Sequence, residues 1–276
     1  PSSEMLMRWF KNDTASASQQ WRLKGHAVAD FWAWMASWSR AAEHPRDLGD
    51  DVHGFDLLPL NTIRHRAPTE PLRPEEGTLF AGALISATSM HDIKRQTIRG
   101  RADLAAEVIA REPSESWVVW CDTNYEADEL LAAMASWGDV GEVRGSQSVE
   151  QKEETLAAFQ TGAIRVLIAK PSVCGWGLNW QHCARQLFVG RSFSYEAWFQ
   201  AVRRCWRFGQ KRRVDCHLIV ADGEETIGRV IDRKAGEHAA MFAAMRTAMR
   251  AAVGVERREK QTYRPTYNGR IPAWIM

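Results

Sequence analysis

Two arginines three residues apart, Arg204 and Arg207, lie in the stretch Gln200-Ala-Val-Arg-Arg-Cys-Trp-Arg-Phe-Gly-Gln210. On a helix that spacing puts both guanidiniums on one face. Paired in this way they suit the charge of a transferring phosphoryl group. Two ordinary surface arginines would show the same spacing, so spacing leaves both readings open. The neighbourhood is basic: Arg203, Arg204, Arg207, Lys211, Arg212 and Arg213 come with no acidic residue among them. Such a stretch favours an anionic partner, nucleic acid or nucleotide phosphate, with a solvated helix face as the alternative. A second cluster reads Lys170-Pro-Ser-Val-Cys-Gly175-Trp-Gly177-Leu-Asn179-Trp-Gln181. Its glycines let backbone approach a ligand closely or take positive φ. It is neither a Walker A loop nor a G-x-G-x-x-G fingerprint, and no Walker A loop occurs anywhere in the sequence. No Asp-Glu pair ends an apolar strand. The sequence therefore shows no evident means of holding β- and γ-phosphates with their metal unaided.

The elements that must position these residues follow from periodicity. Residues 1–43 read as helical, with Val28, Phe31, Trp32, Met35 and Trp38 at three- and four-residue steps. From Pro45 to Gly77, Pro and Gly punctuate an irregular segment with one strand near Leu60–His65. Leu79 to Ala110 is expected to be helical. Short apolar runs at Trp117–Cys121, Val166–Ala169, Gln186–Val189 and Cys216–Val220 read as buried strands, and Val140–Arg144 as a further short one. Helices are expected at Glu126–Trp137, Val149–Phe159, Tyr195–Trp206 and Glu224–Val253. Continuous apolar strands alternating with helices predict an α/β fold, a parallel sheet with helices on both faces. Ligands then gather at the carboxyl ends of the strands, at the turns after Cys121, Ala169 and Val189.

The chain has 276 residues, a net charge of +2, 45% hydrophobic and 25% charged residues, an ordinary globular composition. No stretch approaches the ~18 apolar residues of a membrane span, so no membrane partner is expected. No secretory signal is visible, and the lack of an initiator Met suggests a processed, truncated or excised chain. Five cysteines without a C-x-x-C pair predict reduced thiols in a cytosolic protein, with no metal site. Of 13 Trp, five fall in the first 38 residues. Base stacking or core packing would each use them, and core is the commoner use. Arg22, Lys24 and His26 beside them could grip DNA.

The order of these motifs resembles the C-terminal, RecA-like lobe of superfamily 2 helicases. The branch it is most similar to is the Swi/Snf-type translocases, and within that the phage-type DEAD/DEAH-like helicases. That family ends on Gln-Ala-x-Gly-Arg-x-x-Arg-x-Gly-Gln. Gln200, Ala201, Arg204, Arg207, Gly209 and Gln210 match it, while Arg203 replaces a glycine. The glycine motif matches at Gly175, Gly177, Leu178 and Asn179, but Lys170-Pro171 replaces its usual Ser-Thr start. Asp222-Gly-Glu-Glu225 resembles the family's closing segment. The resemblance covers residues 95–235, and residues 1–75 resemble only an inter-lobe insert. It implies a helical, partly irregular accessory segment at 1–75, connecting helices at 76–115, a RecA-like lobe at 116–235, and a helix and tail at 236–276. It implies ATP with Mg²⁺ in a cleft between two lobes, the metal held mainly by a first lobe supplied in cis or trans. Arg204 and Arg207 would be the catalytic arginines, with Gly175, Gly177, Gln200 and Gln210 at the ATP site. Asp122, Thr123, Asn124, Gly145, Ser146, Lys170 and Asn179 would meet the backbone of DNA, or of RNA. For each of these turns, ordinary turn-forming chemistry is an equal rival. The implied function is half of an ATP-dependent helicase or translocase in the cytoplasm of a bacterial or phage-infected host cell. A non-catalytic nucleic-acid or partner-binding module, and an α/β protein holding a small phosphorylated ligand, are the alternatives.

Overall fold

A computed structural model describes residues 2–13, 20–48, 53–68, 87–174, 177–221 and 225–258. The chain divides into two compact units, Pro1–Val52 with His238–Met276, and His53–Glu237.

The first unit opens with helix α1 (Ser2–Trp9), strands β1 (Phe10–Asp13) and β2 (Gln20–Leu23), and helix α2 (Val28–Trp38). The expected unbroken helix over 1–43 is thus corrected: an antiparallel hairpin interrupts it, pairing Phe10 with Leu23 and Lys11 with Arg22. The reason is alternation. Phe10 and Leu23 pack beside Phe31, with Trp9 and Ala27, in a small core, while Lys11 and Arg22 are exposed. Burial along a strand has a period of two, which helical steps cannot supply. Trp9 is buried, but Trp21, Trp34 and Trp38 are exposed.

The second unit is built on strands β3 (Asn61–Arg66), β4 (Trp117–Trp120), β5 (Val140–Val143), β6 (Val166–Ala169), β7 (Arg185–Phe188) and β8 (Asp215–Val220), with helices α3 (Ala87–Ala110), α4 (Asn124–Ala133), α5 (Val149–Thr161), α6 (Pro171–Cys174) and α7 (Tyr195–Val202). Helix α8 (Glu225–Arg258) contributes residues to both units. The six strands run in the order β3-β8-β7-β4-β6-β5, and every neighbouring pair is parallel. The expected α/β sheet is what the chain forms. Because β3 pairs with β8, residues 61–66 belong to the sheet and not to the accessory segment. The stretches expected at 79–86 and 222–224 lie outside the described residues.

Side-chain alternation in β4 shows why both faces are covered. Trp117 and Val119 enter a core with Ala102, Ala105, Ile109 and Leu130 from α3 and α4. Val118 and Trp120 enter another with Phe159, Ala201 and Val202 from α5 and α7. Helix starts are set by side-chain caps. Thr123 and Glu126 form a reciprocal capping box on α4, as Ser148 and Gln151 do on α5. Gly162 ends α5 at φ +80°, a left-handed position suited to glycine.

The chain crosses from β6 over β4 to β7, so the C-terminal ends of β4, β6 and β7 flank the point where strand order reverses. Beneath it lies an ion pair without any solvent exposure, Arg101 Nη2 to Glu126 Oε1 at 3.4 Å. Arg101 also donates to the carbonyls of Val189 (2.6 Å) and Lys94 (2.8 Å). Glu126 Oε2 accepts from the backbone N–H of Asp122 (2.6 Å) and Thr123 (3.0 Å). These bonds tie α3, the turn after β4, and the end of β7 to one another. Gly190 makes room for them: a Cβ there would fall on the Glu126 carboxylate.

On β3 and β8, His65 and His217 stack with ring centroids 5.1 Å apart, and His65 Nε2 lies 2.9 Å from His217 Nδ1. Burial, and the neighbouring His65, hold His217 down to about 4. Burial and the charge of Arg111 also lower His65.

Two expectations follow. Replacing Arg101 with Met leaves the Glu126 carboxylate buried and unpaired, and should cost about 3–5 kcal/mol in urea unfolding; a change within the error of the wild-type midpoint would contradict the pair's role. An unfolded histidine titrates near ~6.5, so below that pH the unfolded chain binds a proton that folded His217 does not. Stability should therefore fall as pH drops from ~6.5 towards about 4. Thermal unfolding of His217→Phe across this window should show a shallower fall, and an unaltered slope would contradict the assignment.

Candidate functional site

Helix α7 is capped at its N-terminus by Ser194, whose hydroxyl accepts from the Ala197 N–H at 3.1 Å. It ends at Val202, earlier than the expected Trp206. Beyond it the backbone tightens into three-residue turns, with Arg204 N donating to Ala201 O (3.1 Å) and Cys205 N to Val202 O (3.3 Å). Gly209, at φ +88°, then reverses the chain. Arg204 and Arg207 therefore lie in turns and do not share a helix face, which corrects the helical placement. They converge all the same. Arg204 Nη1 donates to Leu178 O at 3.0 Å, and Arg207 Nη1 to the same oxygen at 3.2 Å. Arg204 is 7% exposed; its Nε donates to Gln200 O (3.0 Å) and its Nη2 to Gln200 Oε1 (3.2 Å). Neither arginine pairs with a carboxylate among the described residues. Burial, then the charge of Arg207, lower the pKa of Arg204, yet a guanidinium stays protonated in proteins. Two positive groups thus crowd one neutral carbonyl.

The glycine loop and the basic turn are lashed together. Trp180 N donates to Arg204 O at 2.9 Å. Gln210 Nε2 donates to Gln181 O (2.9 Å) and Cys183 O (3.1 Å), while its Oε1 accepts from Arg212 N (2.9 Å). Gln181 Nε2 bonds to Phe208 O. Both ends of the Gln210 amide are engaged inside the turn, so it braces the arginines and does not face outward towards a nucleotide. Gln200 holds Arg204 directly. Gly177 is exposed and takes φ +75°, whereas Gly175 lies outside the described residues.

The expected backbone-contact residues sit on turns, but not all are free to contact a strand. The N–H groups of Asp122 and Thr123 are given to Glu126, and the Thr123 hydroxyl accepts from Glu126 N. The Asp122 carboxylate pairs with Lys94 Nζ at 2.6 Å. Turn chemistry has claimed those groups. Asn124, Gly145, Ser146 and Asn179 are exposed, although Gly145 O accepts from Lys152 Nζ at 2.9 Å. Lys170, half-buried at the end of β6, makes no ion pair among the described residues. A cleft of ≈ 270 Å³ opens over these strand ends. Asp122, Lys170, Phe188, Arg191, Trp198 and Gln200 are among the residues that line it.

Lys94, Arg101, Glu126 and Gly190 were not singled out by sequence reasoning. The Thr123-x-x-Glu126 spacing is a capping-box signal that could have marked Glu126; nothing local marks Arg101. Among the described residues no group of three His, Cys, Asp or Glu side chains could hold a metal ion. No described helix is long and apolar enough to cross a membrane.

Residues 100–209 match the family model of the helicase conserved C-terminal domain. No curated protein matches the chain. Solved structures similar to parts of it include the C-terminal part of the Fun30 ATPase domain, at 17% identity over 50% of this chain and 46% of that one, with a TM-score of 0.44. A DEAD box protein from the hyperthermophile Methanococcus jannaschii aligns at 21% identity over 49% and 36%, with a TM-score of 0.43. S. cerevisiae Dbp5 bound to RNA and ADP BeF3 aligns at 16% identity over 55% and 43%, with a TM-score of 0.46. The chain spans less than half the length of each. The matched segment runs from within α3 through β4, the glycine loop and both arginines to Gly209, and over residues 100–209 the chain is similar to the helicase conserved C-terminal domain.

Proposed function

We propose that residues 53–237 act as the second, RecA-like lobe of an ATP-driven nucleic-acid motor, with Arg204 and Arg207 turned to the γ-phosphate. The observation that carries this reading is the convergence of two guanidiniums on Leu178 O, at 3.0 and 3.2 Å, with no carboxylate to neutralise them among the described residues. A phosphoryl group is the anion such a planar pair of donors fits, and charge developing on it in transfer is where two arginines contribute most. The phosphates and Mg²⁺ would be held mainly by a first lobe, since the sequence has no Walker loop and, among the described residues, no carboxylate set lies beside the arginines.

In this reading, nucleotide binding displaces Leu178 O as the acceptor for both arginines. Because Trp180 and Gln181 of the same loop are bonded to Arg204 and Phe208, a change at the arginines moves the glycine loop with them. Gly177 and Asn179 would pass that movement to a strand lying over the exposed turns at Asn124, Gly145 and Ser146. Those turns offer N–H and side-chain amide or hydroxyl groups to phosphates, contacts without sequence information. DNA is the strand we favour, and the Swi/Snf-type, phage-like branch the family position, on the motif match at Gln200–Gln210. A cytoplasmic setting in a bacterial or phage-infected cell follows from the same match.

The test is steady-state ATP hydrolysis by the complete motor with and without single-stranded DNA. Arg204→Lys and Arg207→Ala should each lower strand-stimulated turnover by ~10³–10⁵, with wild-type circular dichroism. Unchanged turnover in both would overturn the reading.

A further inference from the structure

We infer that the cleft over the C-terminal ends of β4, β6 and β7 receives one nucleotide unit, its base seated against Trp198 and its phosphate on Lys170. This rests on the strand-binding reading above and goes beyond it, because the contacts named there touch only backbone.

Position is the first support. The cleft lies where strand order reverses, the place parallel sheets bind ligands. Size is the second. At ≈ 270 Å³ it falls just under the ~300–1,000 Å³ of drug-sized ligand clefts, which suits a single nucleotide and excludes a base pair. The lining is the third. Pro171, Ala197 and the half-buried Trp198 supply apolar and aromatic surface, with Phe188 buried behind them, and every base has a π-face that such surface accepts.

Two polar groups in the cleft are left over by the fold. Lys170 is half-buried and has no carboxylate partner among the described residues, so its ammonium lacks the counter-charge that a partly desolvated cation wants. Gln200 spends its Oε1 on Arg204 Nη2, while its Nε2 donates to no described group. An acceptor on a base or phosphate would complete it. The Gln200 amide then bridges the cleft to Arg204, so occupancy of the cleft and the setting of that arginine share one side chain. Glu196, exposed on the rim, can accept from an exocyclic amino group.

The required chemistry, an aromatic base bearing a phosphate, could come from a strand or from a free mononucleotide, and the test separates them. Fluorescence anisotropy of this chain would be followed with a labelled single-stranded oligonucleotide and with its abasic equivalent of equal length and charge. A parallel titration with dAMP would be read at the amide signals of Gly190 and Ala197 by NMR. Ser172→Phe fills the cleft from its exposed rim without touching the core; Trp198→Leu removes the aromatic floor. For a strand base, the intact oligonucleotide should bind roughly tenfold tighter than the abasic one. Ser172→Phe should erase that advantage while leaving abasic binding unchanged. Oligonucleotide binding indifferent to bases, with dAMP shifts abolished by Ser172→Phe, would support the site and assign it to the free nucleotide. Strand binding indifferent to bases and to Ser172→Phe, without dAMP shifts, would overturn the inference and leave the strand reading standing. Absence of strand binding at low salt would instead overturn the strand reading, and the dAMP titration would still decide the cleft.

Discussion

Two guanidiniums share one carbonyl oxygen, and neither has a carboxylate partner among the described residues. That arrangement at Leu178 is the constraint on which the functional account depends. A carbonyl can accept from both arginines but carries no net charge to offset theirs. The fold nevertheless holds them there: Gln200 accepts from two of the Arg204 nitrogens through its backbone and amide oxygens, and Gln210 pins the turn from inside. Donors fixed in advance, with their electrostatic demand unmet, are what a site for developing negative charge requires.

The ground beneath the other half of the site is also electrostatic, but satisfied. Arg101 and Glu126 are fully buried and bond to backbone around the ends of β4 and β7. A buried pair of this kind need not add stability over an apolar equivalent. Its effect here is geometric: it sets the turn after β4 against Gly190 and so shapes the cleft wall. The contrast between a neutral ion pair, Arg101 with Glu126, and a cationic pair, Arg204 with Arg207, separates scaffold from site.

Much of this was legible in the sequence. Apolar runs such as Trp117–Trp120 and Val166–Ala169 are long enough and uninterrupted enough to announce strands buried on both faces. The motif order announced that the glycine loop and the arginine stretch would meet. Less legible was anything decided by long-range partners. The hairpin at Phe10–Leu23 depends on Phe31 for its burial, and helical spacing in α2 masked it. The end of α7 at Val202 depends on Trp180 reaching the Arg204 carbonyl and on Gln210 entering the core, contacts that no local propensity encodes. Asp122 and Thr123 looked available for phosphate because their partner Glu126 is read as a helix residue, and only the fold shows that it consumes their N–H groups. The β3–β8 pairing spans about half the chain, so Asn61–Arg66 could be read as a strand without being placed in the sheet.

The most direct measurement of the central claim is side-chain NMR of the Arg204 and Arg207 Nη–H groups, which hold Leu178 O, in the complete motor, before and after adding a non-hydrolysable ATP analogue. The account predicts that both signals move on nucleotide binding, as Leu178 O gives way to phosphate oxygen, and that ADP moves them less. Nucleotide binding that leaves both signals where they were would contradict it.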